Sequence, residues 1–184
     1  MMMPTPTQDW DVAWDYTMGL PEENGFEKFM SGSLTIEMTE NGLSISIIGN
    51  GYVKYTPIGY KTCNEGIYEA EVMFYSFPSS NGFRMILSDG DEGLQIYCVS
   101  KMLRYNANNS LLHDAAGFLI SQLETNILYK IKIVRENGVN TVFLDDEKVY
   151  ESDVLSTYYA NGNNVFFQDN AGYLFKSLKF KKIS

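Results

Sequence analysis

With 184 residues, 23 Asp+Glu against 14 Lys+Arg and a formal net charge of −9, the chain is acidic, with an isoelectric point near 4.6. That length suits one domain burying roughly 70% of its unfolded surface, and 13 Tyr with 11 Phe make it a core-forming chain, not a disordered acidic one. The charge balance offers no basic stripe for phosphate contacts, which argues against nucleic acid as a partner.

The first residues, Met1 to Thr7, contain neither a basic segment nor an apolar run of about 7–15 residues, so no secretory signal is expected. No stretch approaches the ~18–20 apolar residues of a membrane span. The expectation is a soluble protein, cytoplasmic at synthesis, that would act in a virion or outside a cell only through lysis, a dedicated route or a larger assembly. Residues 1–29, with Trp10, Trp14 and Tyr16, read as an arm pinned across a single domain at 30–184. An exposed arm would instead offer Trp10 and Trp14 to a protein partner.

Helical periodicity is nearly absent, while short alternating runs recur between Gly, Asn and Asp punctuation. Strands are expected at 34–38, 43–48, 52–55, 66–75, 83–88, 94–99, 102–105, 127–135, 140–145, 147–151, 164–168 and 173–182. One weak helix, without caps and containing Gly117, is read at Leu111–Gln122. Alternation fixes the core side: Leu43, Ile45 and Ile47 inward with Ser44 and Ser46 outward, and Tyr129, Ile131 and Ile133 inward with Lys130 and Lys132 outward. In the last strand Tyr173 and Phe175 have one parity and Leu178 and Phe180 the other, which requires a bulge near Lys176–Ser177. Hairpin turns are expected at Glu40-Asn41-Gly42, Asn81-Gly82, Asn137-Gly138 and, without glycine, Asp145-Asp146-Glu147. No repeat of 20–50 residues is present, so a propeller or solenoid is disfavoured. The fold class is therefore all-β, antiparallel sheets packed face to face or rolled up.

Little of the sequence carries catalytic chemistry. Glu69 and Glu71 lie two apart on one strand with no third acid after them, as expected of a solvated strand face. Asp145, Asp146 and Glu147 are consecutive in a turn and share no face. His113, the single histidine, stands beside Asp114 and near Ser110 and Ser121, but no G-x-S-x-G elbow is present, nor any glycine-rich phosphate loop. Cys63 and Cys98 lack zinc-ligand spacing; a buried free thiol is expected at Cys98, a Cys63–Cys98 bridge being the alternative. Asp89, Asp91 and Glu92 crowd a hairpin end, where they form either an ordinary turn or, with oxygens from Asn106, Asn108 and Asn109, a calcium site. No other cofactor is expected.

The binding residues suggested by alternation are Arg84, Gln95 and Tyr97, facing away from Phe83, Met85, Leu94 and Ile96, with Glu71 and Arg104 as further members. Ile86 shares the parity of Arg84, so the face is not purely polar. Planar hydrogen-bonding groups beside an aromatic ring suit sugar recognition, whereas a plain solvated face needs only the charges.

The run Tyr129-Lys-Ile-Lys-Ile-Val-Arg-Glu-Asn-Gly-Val-Asn-Thr-Val-Phe-Leu-Asp-Asp-Glu-Lys-Val-Tyr resembles the strand, turn and VxxYLDGxxV hairpin of concanavalin A-like and laminin G-like jelly rolls, with Asp146 where Gly is frequent. Val165 to Phe180 resembles the last two strands of that family, and Gly66 to Phe74 an early central strand. The resemblance, over residues 30–184, implies a two-sheet antiparallel jelly-roll sandwich whose concave sheet or edge loops often bind glycans. The order of Trp10…Trp14-Asp-Tyr, Asn24-Gly-Phe-Glu-Lys, Tyr60-Lys-Thr-Cys-Asn-Glu-Gly and Asn81-Gly-Phe-Arg-Met-Ile-Leu-Ser-Asp-Gly is similar to lectin-fold proteins of bacteria and their prophages, which implies an adhesion or structural role. The resulting expectation is a non-catalytic, lectin-like module binding surface carbohydrate. The alternatives are a purely structural, protein-contacting module of a phage or cell surface, and a glycoside hydrolase with an atypical carboxylate pair.

Overall fold

The computed structural model describes residues 9–79, 82–106, 117–154 and 162–184. Thirteen strands lie among them: β1 (Val12–Asp15), β2 (Phe26–Thr39), β3 (Gly42–Pro57), β4 (Gly66–Ser76), β5 (Phe83–Ser88), β6 (Gly93–Val99), β7 (Met102–Tyr105), β8 (Phe118–Gln122), β9 (Leu128–Glu136), β10 (Val139–Leu144), β11 (Glu147–Ser152), β12 (Asn164–Gln168) and β13 (Gly172–Lys182). All pair antiparallel, in the order β11-β10-β9-β4-β13-β3-β12-β5-β6-β7-β8, with β1 added to β13 and β2 to β3.

This path doubles back at β3. Leu43 to Ser46 pair with β13, whereas Tyr52 to Tyr55 pair with β12. A back layer (β11, β10, β9, β4, β13 and the first half of β3) thus faces a front layer (the second half of β3, β12, β5, β6, β7 and β8). Rings on strands that are not sheet neighbours meet between the layers: Phe74 on β4 with Phe83 on β5 at 5.6 Å, Phe167 on β12 with Phe175 on β13 at 4.8 Å, and Tyr105 on β7 with Tyr150 on β11 at 4.8 Å. The result is the expected two-sheet antiparallel jelly-roll sandwich, its core built from the inward residues of both layers.

The β2–β3 hairpin spans both layers and turns the corner on glycine. A register shift falls between Ser31 and Ser33. Gly32 there has φ +81°, and a Cβ on it would sit 2.7 Å from the Gly51 Cα, so neither strand can carry a side chain where the two backbones cross.

The register of β13 confirms the bulge required by its parity. Phe175 pairs with Val72 and Ser177 with Glu71, leaving Lys176 as the extra residue, and Tyr173, Phe175, Leu178 and Phe180 are all buried. Asn137 (φ 53°) and Gly138 (φ 75°) join β9 to β10; Asp145 (φ 50°) and Asp146 (φ 69°) join β10 to β11 without glycine. The left-handed pair of aspartates is held by its own side chains, since Asp145 Oδ1 accepts from the Lys130 amide at 2.8 Å and Asp146 pairs with Lys130 Nζ at 2.7 Å.

The expected helix needs correction, and one strand is additional. Residues 118–122 are not helical but form β8, an edge strand whose register on β7 shifts between Leu103 and Arg104; residues 111–116 lie outside the described residues. Its exposed Phe118 and Leu119 break the inward–outward alternation that marks a strand. β1 was not foreseen because four residues carry too little periodicity. Trp14, on β1, is 1% exposed, lies 4.9 Å from the Phe175 ring and donates Nε1–H to the Gly19 carbonyl at 2.7 Å, so it is a core side chain and not a docking group; Trp10 is half-buried. Both cysteines are free and buried, without a bridge, and burial pushes both thiols above the ordinary range. The Asn81-Gly82 turn lies partly outside the described residues.

Candidate functional site

Strand pairing turns the alternation of each front strand into rows that cross the layer on its solvent side. One row runs Phe29, Lys54, Phe166, Arg84, Tyr97, Arg104, through successive partners on β2, β3, β12, β5, β6 and β7. The neighbouring row places Ile86 beside Gln95, whose carbonyl accepts from the Asn106 amide at 3.0 Å. The structure thus brings Arg84, Gln95, Tyr97 and Arg104 together on one face. Glu71 does not join them. It lies on β4 in the back layer, where it accepts a hydrogen bond from Ser177 Oγ at 2.8 Å. The sequence cannot show this separation, because parity along one strand does not reveal which layer the strand occupies.

The β5–β7 half of this face is covered. Arg84 is 7%, Gln95 2% and Tyr97 1% exposed. The backbone entering β8 lies over it: the Gly117 amide donates to Tyr97 Oη at 2.9 Å, and Arg104 Nη1 donates to the Gly117 carbonyl at 2.9 Å. A Cβ at Gly117 would stand 2.4 Å from Tyr97 Oη and 2.6 Å from the Tyr105 carbonyl oxygen, so glycine permits this close approach. Arg84 donates Nη2–H to Gln168 Oε1 at 2.6 Å and lies 4.8 Å over the Phe166 ring. Among the described residues, the Gln95 side-chain amide meets no hydrogen-bond partner through either of its polar atoms.

The β2–β3–β12 half is open, and sequence reasoning missed it. Phe29 is exposed, and Tyr52, Lys54 and Phe166 are half-buried. Tyr52 and Phe166 lie 5.5 Å apart, while Lys54 Nζ sits 5.0 Å from the Phe29 ring and 5.6 Å from the Phe166 ring. Burial, followed by repulsion from Lys61, pushes the Lys54 ammonium below the ordinary lysine range against the pull of Glu27. The missed signal is the run Val165-Phe166-Phe167: Phe167 enters the core, so the adjacent Phe166 must face out.

On the outer side of the back layer, Glu69 and Glu71 form a charge ladder with neighbours on β9 and β13. Glu69 pairs in register with Lys132 and Lys179, the Lys179 ammonium lying 4.0 Å from its carboxylate, and Glu71 pairs with Lys130 and Ser177. These acids occupy a flat strand face, as the sequence suggests. At the same layer's corner a groove of about 620 Å³ runs between Ile48 and Tyr75 over Ser46 and Ser76, with no charged residue in its lining.

The acidic β5–β6 loop closes on itself. Asp89 Oδ1 accepts from the Asp91 and Glu92 amides, both at 2.9 Å, and these bonds, that from Glu92 foremost, hold its carboxyl below the ordinary range. Glu92 turns toward Arg135 at 3.9 Å. Among the described residues no group of three or more His, Cys, Asp and Glu side chains is placed to hold an ion. Asn106 is buried; Asn108, Asn109, Ser110, His113 and Asp114 lie outside the described residues.

Neither a protein-family model nor a curated protein sequence matches the chain. Solved structures match its fold. Carbohydrate-binding module CBM66 from Bacillus subtilis is similar over 86% of this chain and 96% of its own, at 14% identity and TM-score 0.54. The exoplasmic/lumenal domain of VIP36, in its Ca2+/Man3GlcNAc-bound form, is similar over 89% of this chain and 87% of its own, at 11% identity and TM-score 0.59. A chain from work on endo-acting O-glycanases, expressed by prominent members of the human gut microbiota to initiate mucin breakdown, is similar over 96% of this chain and 100% of its own, at 7% identity and TM-score 0.67. No helix among the described residues is long and apolar enough to cross a membrane. At these identities the likeness establishes a lectin-like β-sandwich fold.

Proposed function

We propose that the chain is a non-catalytic carbohydrate-binding module that takes its ligand on the open half of the front face. The observation that carries this reading is the cluster of Phe29, Tyr52 and Phe166 around Lys54. Sugar rings present C–H faces that stack on aromatic rings and hydroxyls that need polar partners; the platform supplies the rings, the Lys54 ammonium supplies donors, and the Tyr52 hydroxyl can donate or accept. The fold it shares with CBM66 and with VIP36 bound to Man3GlcNAc supports the reading. Concanavalin A-like or laminin G-like ancestry, and a place in a bacterial surface or phage-tail assembly, are the finer parts of the proposal and rest on the sequence resemblance. Binding is assigned to rings and hydroxyls and needs no ion, so chelator should leave it unchanged. The hydrolase alternative loses support from Glu69 and Glu71, which stand on a flat strand face, Glu69 in ionic contact with Lys179 and Glu71 bonded by Ser177.

A glycan array spanning bacterial and host saccharides tests the reading, with the folded Phe166→Ala variant as control. Binding by the wild type and a loss of at least about tenfold in the variant are expected, the size of one lost ring–sugar stack. An array without any bound glycan would overturn it and favour the protein-contacting alternative.

A further inference from the structure

A concave surface on the outer side of the back layer is left unused by the front-face reading. It is the groove of about 620 Å³ between Ile48 and Tyr75, within the roughly 300–1,000 Å³ range of small-ligand sites. The entry of β13 into the sheet creates it. Gly172, the first residue of β13, pairs with Ser46 on β3 and with Ser76 on β4, and its amide donates to Ser76 Oγ at 2.9 Å. On its outward side this position carries only hydrogen, with the exposed Tyr75 ring on one flank and the exposed Ile48 side chain on the other.

Backbone geometry does not require glycine here. Gly172 has a negative φ, and a Cβ on it would meet Tyr75 Cβ at 3.5 Å and Ser76 Oγ at 3.7 Å, ordinary van der Waals contacts. Gly32 and Gly117 differ, because a Cβ on either would collide with its surroundings. Glycine inside a strand forfeits side-chain packing. At residue 172 its effect is to keep the floor of the groove open.

The lining carries hydroxyls on both walls, Ser44 and Ser46 on β3 and Tyr75 and Ser76 on β4, with the Asn170 amide at the bend before β13. Within the described residues the side chains of Ser44, Ser46, Tyr75 and Asn170 enter no hydrogen bond, and Ser76 Oγ, which accepts from Gly172, keeps its own proton to donate. The floor amides are taken, since Ile47 donates to the Ala171 carbonyl at 2.9 Å and Gly172 to Ser76. A peptide adding by strand pairing finds these amides already bonded, and an ionic ligand finds no countercharge in the lining.

We propose that this groove is a second saccharide site, selective for a neutral sugar that lays a C–H face on Tyr75 and an apolar edge on Ile48 while its hydroxyls meet the serines and Asn170. One chain then carries glycan sites on opposite layers of the sandwich. The groove shares its ligand class with the front platform but none of its residues, so the two readings fail independently.

The test is a nitrogen-15 amide-shift titration with four neutral probes: cellotetraose, maltotetraose, mannotetraose and xylotetraose. Gly172→Leu fills the groove on a backbone that accepts a side chain, and Tyr75→Ala removes an exposed ring; both should keep the wild-type melting temperature. Shifts at Ser46, Tyr75 and Gly172 should saturate with at least one probe, persist in Phe166→Ala, and vanish in Gly172→Leu. In Tyr75→Ala affinity should fall about tenfold, the size of one lost ring–sugar stack. It should not move as sodium chloride rises from about 50 to about 500 mM. Absence of groove shifts with all four probes, or binding unchanged in Gly172→Leu, overturns the second site and leaves the front-face reading to its array. Groove shifts that vanish in Phe166→Ala overturn it equally. Affinity that weakens with salt overturns the neutral class, and tighter binding of a capped Ser-Thr-Ser-Thr peptide than of any probe sugar overturns the saccharide class.

Discussion

The two halves of the front face are built from one sheet and one row of side chains, yet one is sealed and the other open. Over β5–β7, Tyr97 and Arg104 hold the Gly117 backbone, and Arg84 bonds to Gln168. Over β2, β3 and β12, Phe29 remains exposed beside Lys54. Outward parity therefore identifies which residues share a face but not whether that face meets solvent, because the cover comes from a segment some twenty positions away in the chain. On the sealed side, arginine and tyrosine serve the fold; on the open side, fewer polar groups and more rings are left for a ligand.

The sharpest way to break this contrast is to lift the cover. Gly117→Ala forces a methyl group against Tyr97 Oη and the Tyr105 carbonyl, and overpacking of this kind costs about 1–3 kcal/mol. Denaturant unfolding should show that loss while glycan affinity at Phe166 is retained; a parallel loss of affinity would mean the halves act as one site. A smaller effect of opposite sign is expected from Gln95→Met. Its amide is buried with both polar atoms unpartnered among the described residues, so an apolar replacement should raise stability by about 1 kcal/mol in the same assay. If Gln95→Met instead abolished glycan binding, the sealed half would be the ligand site after all.

The smallest effect lies at the loop between β5 and β6. Asp89 has a folded carboxyl pKa depressed by the Glu92 and Asp91 amides, so its contribution is fully present above the ordinary carboxylate value near ~4 and is lost as pH falls through the lower folded value. Asp89→Asn should flatten the acid limb of melting temperature against pH, with little change at pH 7. An acid limb identical to that of the wild type would show that this turn does not feel the proton.

Much of the sandwich was legible because single-sided burial writes itself as alternation. The parity break in β13 located the bulge at Lys176, and Asp145-Asp146 announced a turn from residues that tolerate positive φ. The layers were not legible, since Glu71 and Arg84 carry the same outward signal from opposite sheets. Nor was the first half of β2, where Glu27 to Ser33 run along a sheet edge with most side chains wet and no buried face to impose a period. Phe29 lies in that stretch, which is why the open half escaped notice while the tidy alternation of β5 and β6 drew attention to residues that the fold keeps for itself.

The position of β13 governs the order in which the molecule can be made. This last strand in chain order lies between β4 and β3 and also receives β1, so elements from residue 12 to residue 76 await residues 172–182 before their edges are filled. As the polypeptide emerges from the ribosome, β3 and β4 each keep a bare hydrogen-bonding edge until β13 follows. Such a topology delays closure of the sheet until residues 172–182 have emerged and exposes the nascent chain to strand-to-strand aggregation until then. A ribosome stalled before Gly172 would hold a chain with its central seam still open.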